Sequence, residues 1–536
     1  MKVADVRHEN DPFRRVPRSY IFRRIFMKRI LLVLLAALLL LSCVACGGTT
    51  PPETEEETAQ QPTTNAPETE EKTDGYDATF DRTSVADTVP DGLRFDGETV
   101  TFFVRNNNEL WSYEMDVDTI LNNTLYDAIY YRNKSVEERL GVTITTIGQP
   151  GGFGERFAWN DALRTAVNTK TGDFDTAAIY LSQGTPLALE NMYYNVVDFP
   201  YIDLDQPWWN QNLRKELTLF NTLYYLGGDI AVSETSNTFA MFYNKDLFEK
   251  YYGTAGIDMF DVVMNNEWTI DYMYELVSGV YEDSDGSGGM SDGDLVGYIS
   301  CDPDYNDSIN DGWVAACGID ITTMVNGIPE LSFYSERTVR AFEAVYRLQV
   351  ECAGTLSFRN PVNTTFVDGK SMFVRNFLNG GETLREMKDT YGVLPLPMLE
   401  ENQDGGYATT IGNTASLVVI LSSLPDARRE VVGATLELMA AESYKQVTPT
   451  YYEVALKTKY ADSPDDAKIY DLILNSVTIS FGYCYSTQNL NGIGSLFRVM
   501  EKDLAQAYDE NDEVYEQKLQ ELIDGLDNAA FQSAMK

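Results

Sequence analysis

The stretch Thr99-Val100-Thr101-Phe102-Phe103-Val104 is rich in β-branched and aromatic residues, and this composition predicts a β-strand. Outward from it, residues 118–140 space their apolar side chains at helical intervals, and residues 141–145 predict a second strand. A further helix is predicted at 157–168 and a third strand at 176–181. This β-α-β-α-β order predicts an α/β fold in which helices cover a mainly parallel sheet.

The size of the folded part predicts two lobes. From about residue 80 onward the composition is that of a folded body, and the whole chain is 44% hydrophobic and 12% aromatic. Roughly 450 residues exceed what one hydrophobic core usually supports. In open parallel sheets, ligands bind beyond the carboxyl ends of the strands. The loops that follow the predicted strands are therefore where we expect binding residues.

The start of the chain resembles a bacterial export signal with a lipobox. Four basic residues between 23 and 29 precede an apolar run at 30–41, which is too short to cross a bilayer as a helix. We favour Cys46 as the lipidated residue, because Ala45 precedes it and two glycines follow it. Cys43, preceded by Ser42, is the alternative, and a single transmembrane anchor is the remaining interpretation. Residues 1–46 are thus predicted to direct a lipid-anchored protein to the extracellular face of the cell membrane.

Residues 47–80 are predicted to form an extended linker. The segment is dominated by proline, threonine and glutamate, and it contains almost no large apolar side chain before residue 76. Such a composition buries too little apolar surface to offset the entropy lost on ordering. We therefore expect an acidic spacer between the membrane and the folded body.

The charge and histidine content exclude several function classes. The chain has 41 basic and 82 acidic side chains; residues 1–45 hold nine and three of these, which leaves −47 on the remainder. A body with this charge repels nucleic acid and anionic lipid surfaces. The only histidine, His8, lies in the predicted signal, so Ser-His-Asp or Cys-His catalysis and histidine-bound zinc are excluded from the body. Of its cysteines, Cys301, Cys317, Cys352 and Cys484, we expect buried thiols ahead of up to two disulfides.

Four segments in the second half carry a resemblance to a known family. They are Phe239-Ala240-Met241-Phe242-Tyr243-Asn244-Lys245-Asp246-Leu247-Phe248-Glu249-Lys250, Glu267-Trp268-Thr269-Ile270-Asp271, Phe366-Val367-Asp368-Gly369-Lys370-Ser371-Met372-Phe373 and Tyr391-Gly392-Val393-Leu394-Pro395-Leu396-Pro397. In this order they resemble the "YNKDLFEK", "WTWD", "F-x-x-GK-x-A-M" and "YGVLPYP" segments of family 1 extracellular solute-binding proteins, the capture components of ABC importers. They span about 160 residues, and outside them the match is looser.

The resemblance implies a two-lobe periplasmic-binding-protein-like fold of type II, with lobes joined by hinge segments that close over a ligand. Lobe one would comprise 97–237 and 393–445, lobe two 238–392, and C-terminal helices at 446–536 would brace both. The implied function is capture of a small solute, most simply an oligosaccharide, and its delivery to a membrane permease. We expect a monomer, no catalysis and no cofactor apart from structural calcium.

Candidate ligand-binding residues follow from their positions and chemistry. Sugars are gripped by aromatic faces and by amide, hydroxyl or carboxylate groups. Such residues lie after predicted strands or near the expected crossings between the lobes. They are Asn106, Trp111, Ser182, Gln183, Asp229, Trp313, Asn376 and Asn413. For each tryptophan the alternative is core packing, and for each asparagine a turn or cap.

Two loops suggest ions or phosphates. The glycine-rich loop 148–154 follows a strand but lacks both the Gly-Lys-Ser/Thr ending and the G-x-G-x-x-G spacing of nucleotide sites, so we interpret it as a loop near the cleft. In 283–294, Asp283, Asp285, Ser287 and Asp294 occupy positions one, three, five and twelve of a calcium-loop pattern with glycine at six. A weak calcium site is the hypothesis here, and a solvated acidic turn is the alternative.

Two other interpretations stay open. A secreted carbohydrate-active enzyme would use a pair of carboxylates as acid and nucleophile or base, and the acid-rich body could supply such a pair without a recognisable motif. A peptide or polyamine could replace the sugar as the captured solute. Formation of new reducing ends from glycans would separate the enzyme from the binding protein.

Overall fold

The computed structural model describes residues 80–301, 308–358, 363–457, 464–500 and 503–534. The predicted signal with Cys43 and Cys46, and nearly all of the predicted linker 47–80, lie outside these residues. Gly75–Lys536 forms one compact unit with its own core. Among the helices in the described ranges, none is long and apolar enough to cross a membrane.

The described part of the chain alternates strands and helices. The strands, labelled β1 to β12 in chain order, are Thr99–Arg105, Thr143–Gln149, Thr176–Tyr180, Phe239–Asn244, Tyr281–Glu282, Leu295–Cys301, Thr322–Val325, Ile328–Leu331, Thr355–Phe358, Ser371–Phe377, Tyr391–Leu394 and Ser416–Ile420. The α-helices, labelled α1 to α19, are Glu109–Tyr113, Thr124–Leu140, Arg156–Thr169, Leu181–Gly184, Gln211–Leu217, Val232–Ser236, Lys245–Tyr252, Met259–Met264, Ile270–Val277, Gly312–Ala316, Glu336–Tyr346, Asn363–Val367, Arg429–Glu442, Thr448–Lys457, Pro464–Asn475, Phe481–Tyr485, Ser495–Arg498, Leu504–Asp509 and Asp512–Ala534.

The first sheet has the order β12-β3-β1-β2, in which β1 runs parallel to β2 and β3 and β12 runs antiparallel to β3. The predicted β-α-β-α-β unit is thus confirmed. Two of its boundaries lie later than predicted, for local reasons. The Asn123 side chain accepts hydrogen bonds from the backbone N–H groups of Leu125 and Tyr126, so α2 begins at Thr124. Gly141 ends that helix in the left-handed conformation (φ 71°), so β2 begins only at Thr143.

The second sheet has the order β11-β4-β10-β6-β5, with β9 also paired to β6. Strand β10 is parallel to β6, whereas β4 is antiparallel to both β10 and β11. The two sheets, each with its own helices, give the predicted two-lobed α/β fold. We call the first sheet with its helices the first lobe, and the second sheet with its helices the second lobe.

The four family-like segments lie at strand and helix ends of the second lobe. Asn244 ends β4 and caps α7, because its Oδ1 accepts the Leu247 N–H (2.9 Å) while its Nδ2 donates to Asp389 (2.8 Å). Thr269 caps α9 in the same way, through the Tyr272 N–H. Gly369 makes the turn between α12 and β10 at φ 73°.

Two backbone segments cross between the lobes and pair with each other. Thr238 and Ile411 form an antiparallel bridge. The Phe239 N–H donates to the Thr410 carbonyl (3.1 Å), and the Gly412 N–H donates to the Asn237 carbonyl (2.7 Å). The second crossing therefore lies beyond β11, which belongs to the second sheet, and the chain rejoins the first sheet at Ser416 rather than at the expected 393.

The last segment of the chain contacts both lobes. Helix α19 packs against the 3₁₀-helix Thr185–Glu190 of the first lobe and against β8, which follows the second sheet's strand β6 in the chain. Helix α15 packs against β11 and α8 of the second lobe. The C-terminal helices thus link elements that are far apart in the sequence.

A buried glutamate organises the core beside α13. Glu437 is fully buried, and its two carboxylate oxygens accept hydrogen bonds from the indole N–H groups of Trp208 (3.2 Å) and Trp209 (3.0 Å). Burial raises the pKa of this carboxyl to about 7. Both tryptophans are buried as well, so their N–H groups depend on Glu437 for a partner.

We expect Glu437→Ala to lower the free energy of unfolding by about 3 kcal/mol, since it leaves two buried indole donors without an acceptor. Urea unfolding followed by tryptophan fluorescence measures this change. Glu430→Ala, at an exposed position of the same helix, is the matched control and should change stability little. Equal losses in both variants would contradict the role given to Glu437.

Candidate functional site

The carboxyl edge of the first sheet is tied to the second crossing by Arg105. This residue ends β1, and only 1% of it is exposed. Its Nη2 donates to the Thr414 carbonyl (2.9 Å) and to the Ser416 hydroxyl (2.8 Å). These two hydrogen bonds connect the end of β1 directly to the second crossing.

Aromatic rings cover the Arg105 guanidinium. Its Cζ lies 4.1 Å from the centroid of the Trp111 ring and 5.1 Å from that of the Tyr180 ring. Trp111 is half-buried on α1, and Asn108 caps this short helix by accepting the Trp111 N–H. The predicted residue Trp111 thus lies beside Tyr180, the last residue of β3, which the sequence analysis did not single out.

The glycine-rich loop packs directly on this edge. A Cβ added to Gly151 would lie 2.7 Å from Arg105 Cγ and 2.5 Å from the Trp159 ring, so only glycine fits. The Asn107 side chain accepts the Gly151 N–H. Predicted residue Asn106 is exposed at the same edge, where its backbone N–H donates to Gln149 (3.2 Å). The loop therefore adjoins the carboxyl ends of β1 and β2.

Three more predicted residues come together near the second crossing. The Ser182 N–H donates to the Asn413 carbonyl (3.3 Å), and Gln183 Nε2 donates to the Ser182 hydroxyl (3.1 Å). Gln183 Oε1 accepts a hydrogen bond from Gln488 of the C-terminal segment (2.7 Å). The Asn413 Oδ1 atom is buried and has no hydrogen-bond partner within the described part of the chain. An amide- and hydroxyl-rich group thus lies at the crossing.

The second lobe presents an ion pair and two of the predicted residues. Arg498 binds Asp311 through Nε (2.5 Å) and Nη2 (2.8 Å). Trp313 is fully buried, and the Arg375 guanidinium lies 4.9 Å from its ring centroid. Asn376 follows Arg375 in β10 and accepts the Phe377 N–H through its side chain (2.8 Å).

A cavity of about 420 Å³, counting space open to solvent, adjoins the second crossing. It is lined by Asp311 and other residues of the second lobe, by Thr410 of the crossing, and by the C-terminal segment. The Tyr483 hydroxyl, one of its walls, donates to the Ile411 carbonyl (2.9 Å). The remaining lining residues are Val314, Ala315, Ile319, Asp320, Ile321, Thr478, Ser480, Ser486 and Gly494.

Asp229 contacts a different set of residues. Its carboxylate accepts a hydrogen bond from the Thr448 hydroxyl and lies 3.7 Å from Arg82. Burial raises the pKa of Asp229 to about 6. A role for this residue in ligand binding stays a prediction.

The predicted calcium ligands are partly gathered. Carboxylate oxygens of Asp283, Asp285 and Asp294 all lie within 4.8 Å of one another, and Asp294 is buried. The Ser287 hydroxyl donates instead to the Gly289 carbonyl (3.0 Å). Backbone N–H groups of the loop donate to all three carboxylates, as in a self-contained acidic turn.

The body cysteines are buried. Cys317, Cys352 and Cys484 are free thiols, and Cys301 is buried as well. Burial raises the pKa of Cys317 to about 12 and raises that of Cys352 and Cys484. A raised pKa lowers the thiolate fraction and hence the reactivity of these side chains.

No known protein family matches the chain, and no curated protein is significantly similar to it. Solved structures are similar at low identity. T. maritima MalE3 bound to maltose is 14% identical, with a TM-score of 0.45 over 82% of this chain and 100% of that chain. A cyclo/maltodextrin-binding protein complexed with maltotetraose is 12% identical, with a TM-score of 0.49 over 80% and 96%.

A third similar structure is the galacto-N-biose/lacto-N-biose I-binding protein of an ABC transporter from Bifidobacterium longum, in complex with lacto-N-biose. It is 12% identical, with a TM-score of 0.47 over 79% of this chain and 98% of that chain. These similarities concern the course of the chain, and none of them identifies the solute of this protein.

The buried carboxyl of Glu234 makes stability depend on pH. This residue precedes the first crossing, and it accepts hydrogen bonds from the Gly228 N–H (2.7 Å) and from Asn210 (3.2 Å). Burial raises its pKa from 4.5 to about 8. The folded state therefore holds the proton more tightly than the unfolded state, and this contribution to stability is lost as pH rises between these two values.

We expect Glu234→Gln to flatten the decline of the melting temperature between about pH 5 and pH 8, because the amide cannot ionise. Melting curves across this range measure the effect. Glu249→Gln, at an exposed site on α7, should leave the wild-type profile intact. A profile that is unchanged in Glu234→Gln would show that this carboxyl is not the source of the pH dependence.

Proposed function

We propose that this protein is an extracellular solute-binding protein of an ABC importer, which captures a small solute between its lobes. The observation that carries the proposal is the pair of α/β lobes joined by two crossing segments that pair through Thr238 and Ile411. The four family-like sequence segments support the same class of protein. Because neither support depends on a catalytic group, we expect binding without turnover.

The crossings suggest how capture would work. A short two-stranded connection bends more easily than the packed sheets on either side, and a ligand that contacts both lobes favours the closed arrangement. Polar groups of the first lobe, of the crossing and of the C-terminal segment adjoin each other at Ser182, Asn413 and Gln488. A solute held there would touch parts of the molecule that move relative to one another.

The residue types favour a carbohydrate. Half-buried Trp111 offers an aromatic side chain at the carboxyl edge of the first sheet, and amide and hydroxyl groups lie at the adjacent crossing. Aromatic faces pack on the C–H surfaces of sugars, and amides bind their hydroxyl groups. The sugars named in the similar structures belong to those proteins, and an oligosaccharide is our proposal for this one.

The remaining parts of the proposal concern the membrane. A lipid on Cys46, or on Cys43, would anchor the chain to the outer face of the cell membrane, and residues 47–80 would act as the spacer. Delivery to a membrane permease follows from the importer class. We propose that the protein acts as a monomer.

A thermal-shift screen of the compact unit Gly75–Lys536 tests the function. A ligand that binds only the folded state raises the melting temperature with concentration, by an amount set by its affinity. We expect oligosaccharides to raise it and to be recovered unchanged. If only peptides or polyamines raise the melting temperature, the solute-binding function stands and the proposal of a carbohydrate ligand is wrong. New reducing ends after incubation with glycans would contradict the binding function and favour the enzyme.

The acidic loop makes a separate prediction. If Asp283, Asp285 and Asp294 bind calcium, about 1–10 mM Ca²⁺ should raise the melting temperature, as expected for a weak extracellular site. The double change Asp283→Asn and Asp285→Asn should abolish the shift. Asp292→Asn, in the same loop but outside the cluster, is the control. If Ca²⁺ still raises the melting temperature of the double variant, or does not raise that of the wild type, the loop is an acidic turn and not a calcium site.

A further inference from the structure

Positive charge is concentrated around Tyr180 at the end of β3. The Arg105 Cζ lies 5.1 Å from the Tyr180 ring centroid, and the charges of Arg498, Arg156 and Asp311 also affect the pKa of Tyr180, which burial raises. Three of these groups are cations, and the single anion is bound to Arg498. The surroundings of Tyr180 therefore carry an excess of positive charge in a chain whose net charge is −41.

Two of these arginines have buried nitrogen atoms without partners. Arg105 Nε and Nη1, and Arg156 Nε, are inaccessible and form no hydrogen bond within the described ranges. Burial lowers the pKa of Arg105 to about 10, so it still carries its charge at neutral pH. Leaving buried guanidinium N–H groups unpaired costs free energy unless an acceptor arrives.

Among the residues that the structure describes, no carboxylate forms an ion pair with Arg105. Glu114 is buried and is the acid that acts most strongly on it, but the two do not form an ion pair. Glu114 instead accepts the Ser233 N–H (2.7 Å). Several other arginines of the described chain do bind carboxylates closely, namely Arg139 with Asp87, Arg164 with Glu190 and Arg428 with Asp175.

The second lobe contributes a similar group. Arg375 Nε and Nη1 are buried without hydrogen-bond partners, and its Nη2 donates to Asn310. Asn310 in turn donates to the Arg498 backbone carbonyl (3.2 Å). Through Asn310, Arg375 is thus connected to Arg498, which acts on Tyr180 of the first lobe.

We infer that the captured solute is anionic and that it is a uronate-containing oligosaccharide, whose carboxylates pair with Arg105 and Arg156. This inference rests on the proposed function, which it narrows to a substrate class. Guanidinium groups bind carboxylates through strong charge-assisted hydrogen bonds, and the half-buried Trp111 ring beside Arg105 suits a sugar face. The unpaired nitrogen atoms of Arg105 are occluded in this conformation, and Trp111, Tyr180 and the loop at Gly151 that contact this residue all belong to the first lobe, so the solute reaches Arg105 only when Trp111 or this loop moves.

Isothermal titration of Gly75–Lys536 with matched pairs of oligosaccharides tests the inference. Each pair consists of a uronate trimer (galacturonate, glucuronate, mannuronate or guluronate) and its carboxyl-reduced neutral counterpart. We expect one acid to bind at least about tenfold more tightly than its neutral partner, with an affinity that falls as salt rises. A neutral trimer that binds as tightly as the acid would overturn the inference and leave the proposed function intact.

Variants identify the groups involved. Arg105→Gln and Arg156→Gln should each weaken binding of the acid by about tenfold, whereas Arg105→Lys should retain part of the preference because it keeps the charge. Arg340→Gln, at an exposed arginine bound to Glu400, is the control. Melting curves show whether each variant is folded. If Arg105→Gln does not fold, the result for Arg156→Gln alone decides whether an arginine of this group binds the acid. Undiminished acid binding in folded Arg156→Gln and Arg105→Gln would overturn the assignment. If none of the acidic or neutral sugars binds, the carbohydrate proposal itself is overturned, and this inference with it.

Discussion

The pairing of the two chain crossings is the constraint on which the rest of the structure depends. Strand β4 begins directly after the first crossing, and β12 follows the second, so the bridge between Thr238 and Ile411 lies where the second sheet begins and just before the chain returns to the first sheet. Arg105 holds the same crossing through Thr414, and Tyr483 holds it through Ile411. This short connection therefore positions the polar groups that surround the crossing. A change in its bend would move these groups together.

Much of the fold was predictable because its signals are local. The run of β-branched and aromatic residues in β1 and the helical spacing that follows it depend only on neighbouring residues. The errors at Thr124 and Thr143 are also local: Asn123 and Gly141 act as helix caps and set boundaries that apolar spacing does not show. The position where the chain leaves the second sheet was harder, because the pairing of β11 with β4 joins residues about 150 positions apart.

The candidate site was predictable only in part. Trp111, Ser182, Gln183 and Asn413 follow strands or crossings, and the structure places them close to the second crossing or to the edge of the first sheet. Gln488 and Arg498 carry no sequence signal, since their partners lie more than 180 positions away. Arg105 offered one clue that was not used: it is a lone cation at the end of an otherwise uncharged strand, where a buried charge needs a partner.

The most direct test of the central claim is the distance between two spin labels, one on each lobe, measured with and without saturating solute. Exposed Lys170 of the first lobe and Glu343 of the second are suitable positions, because the body cysteines are buried. Capture between hinged lobes predicts that the solute shortens the mean distance and narrows its distribution. An identical distribution in the presence of bound solute would contradict closure about the paired crossings.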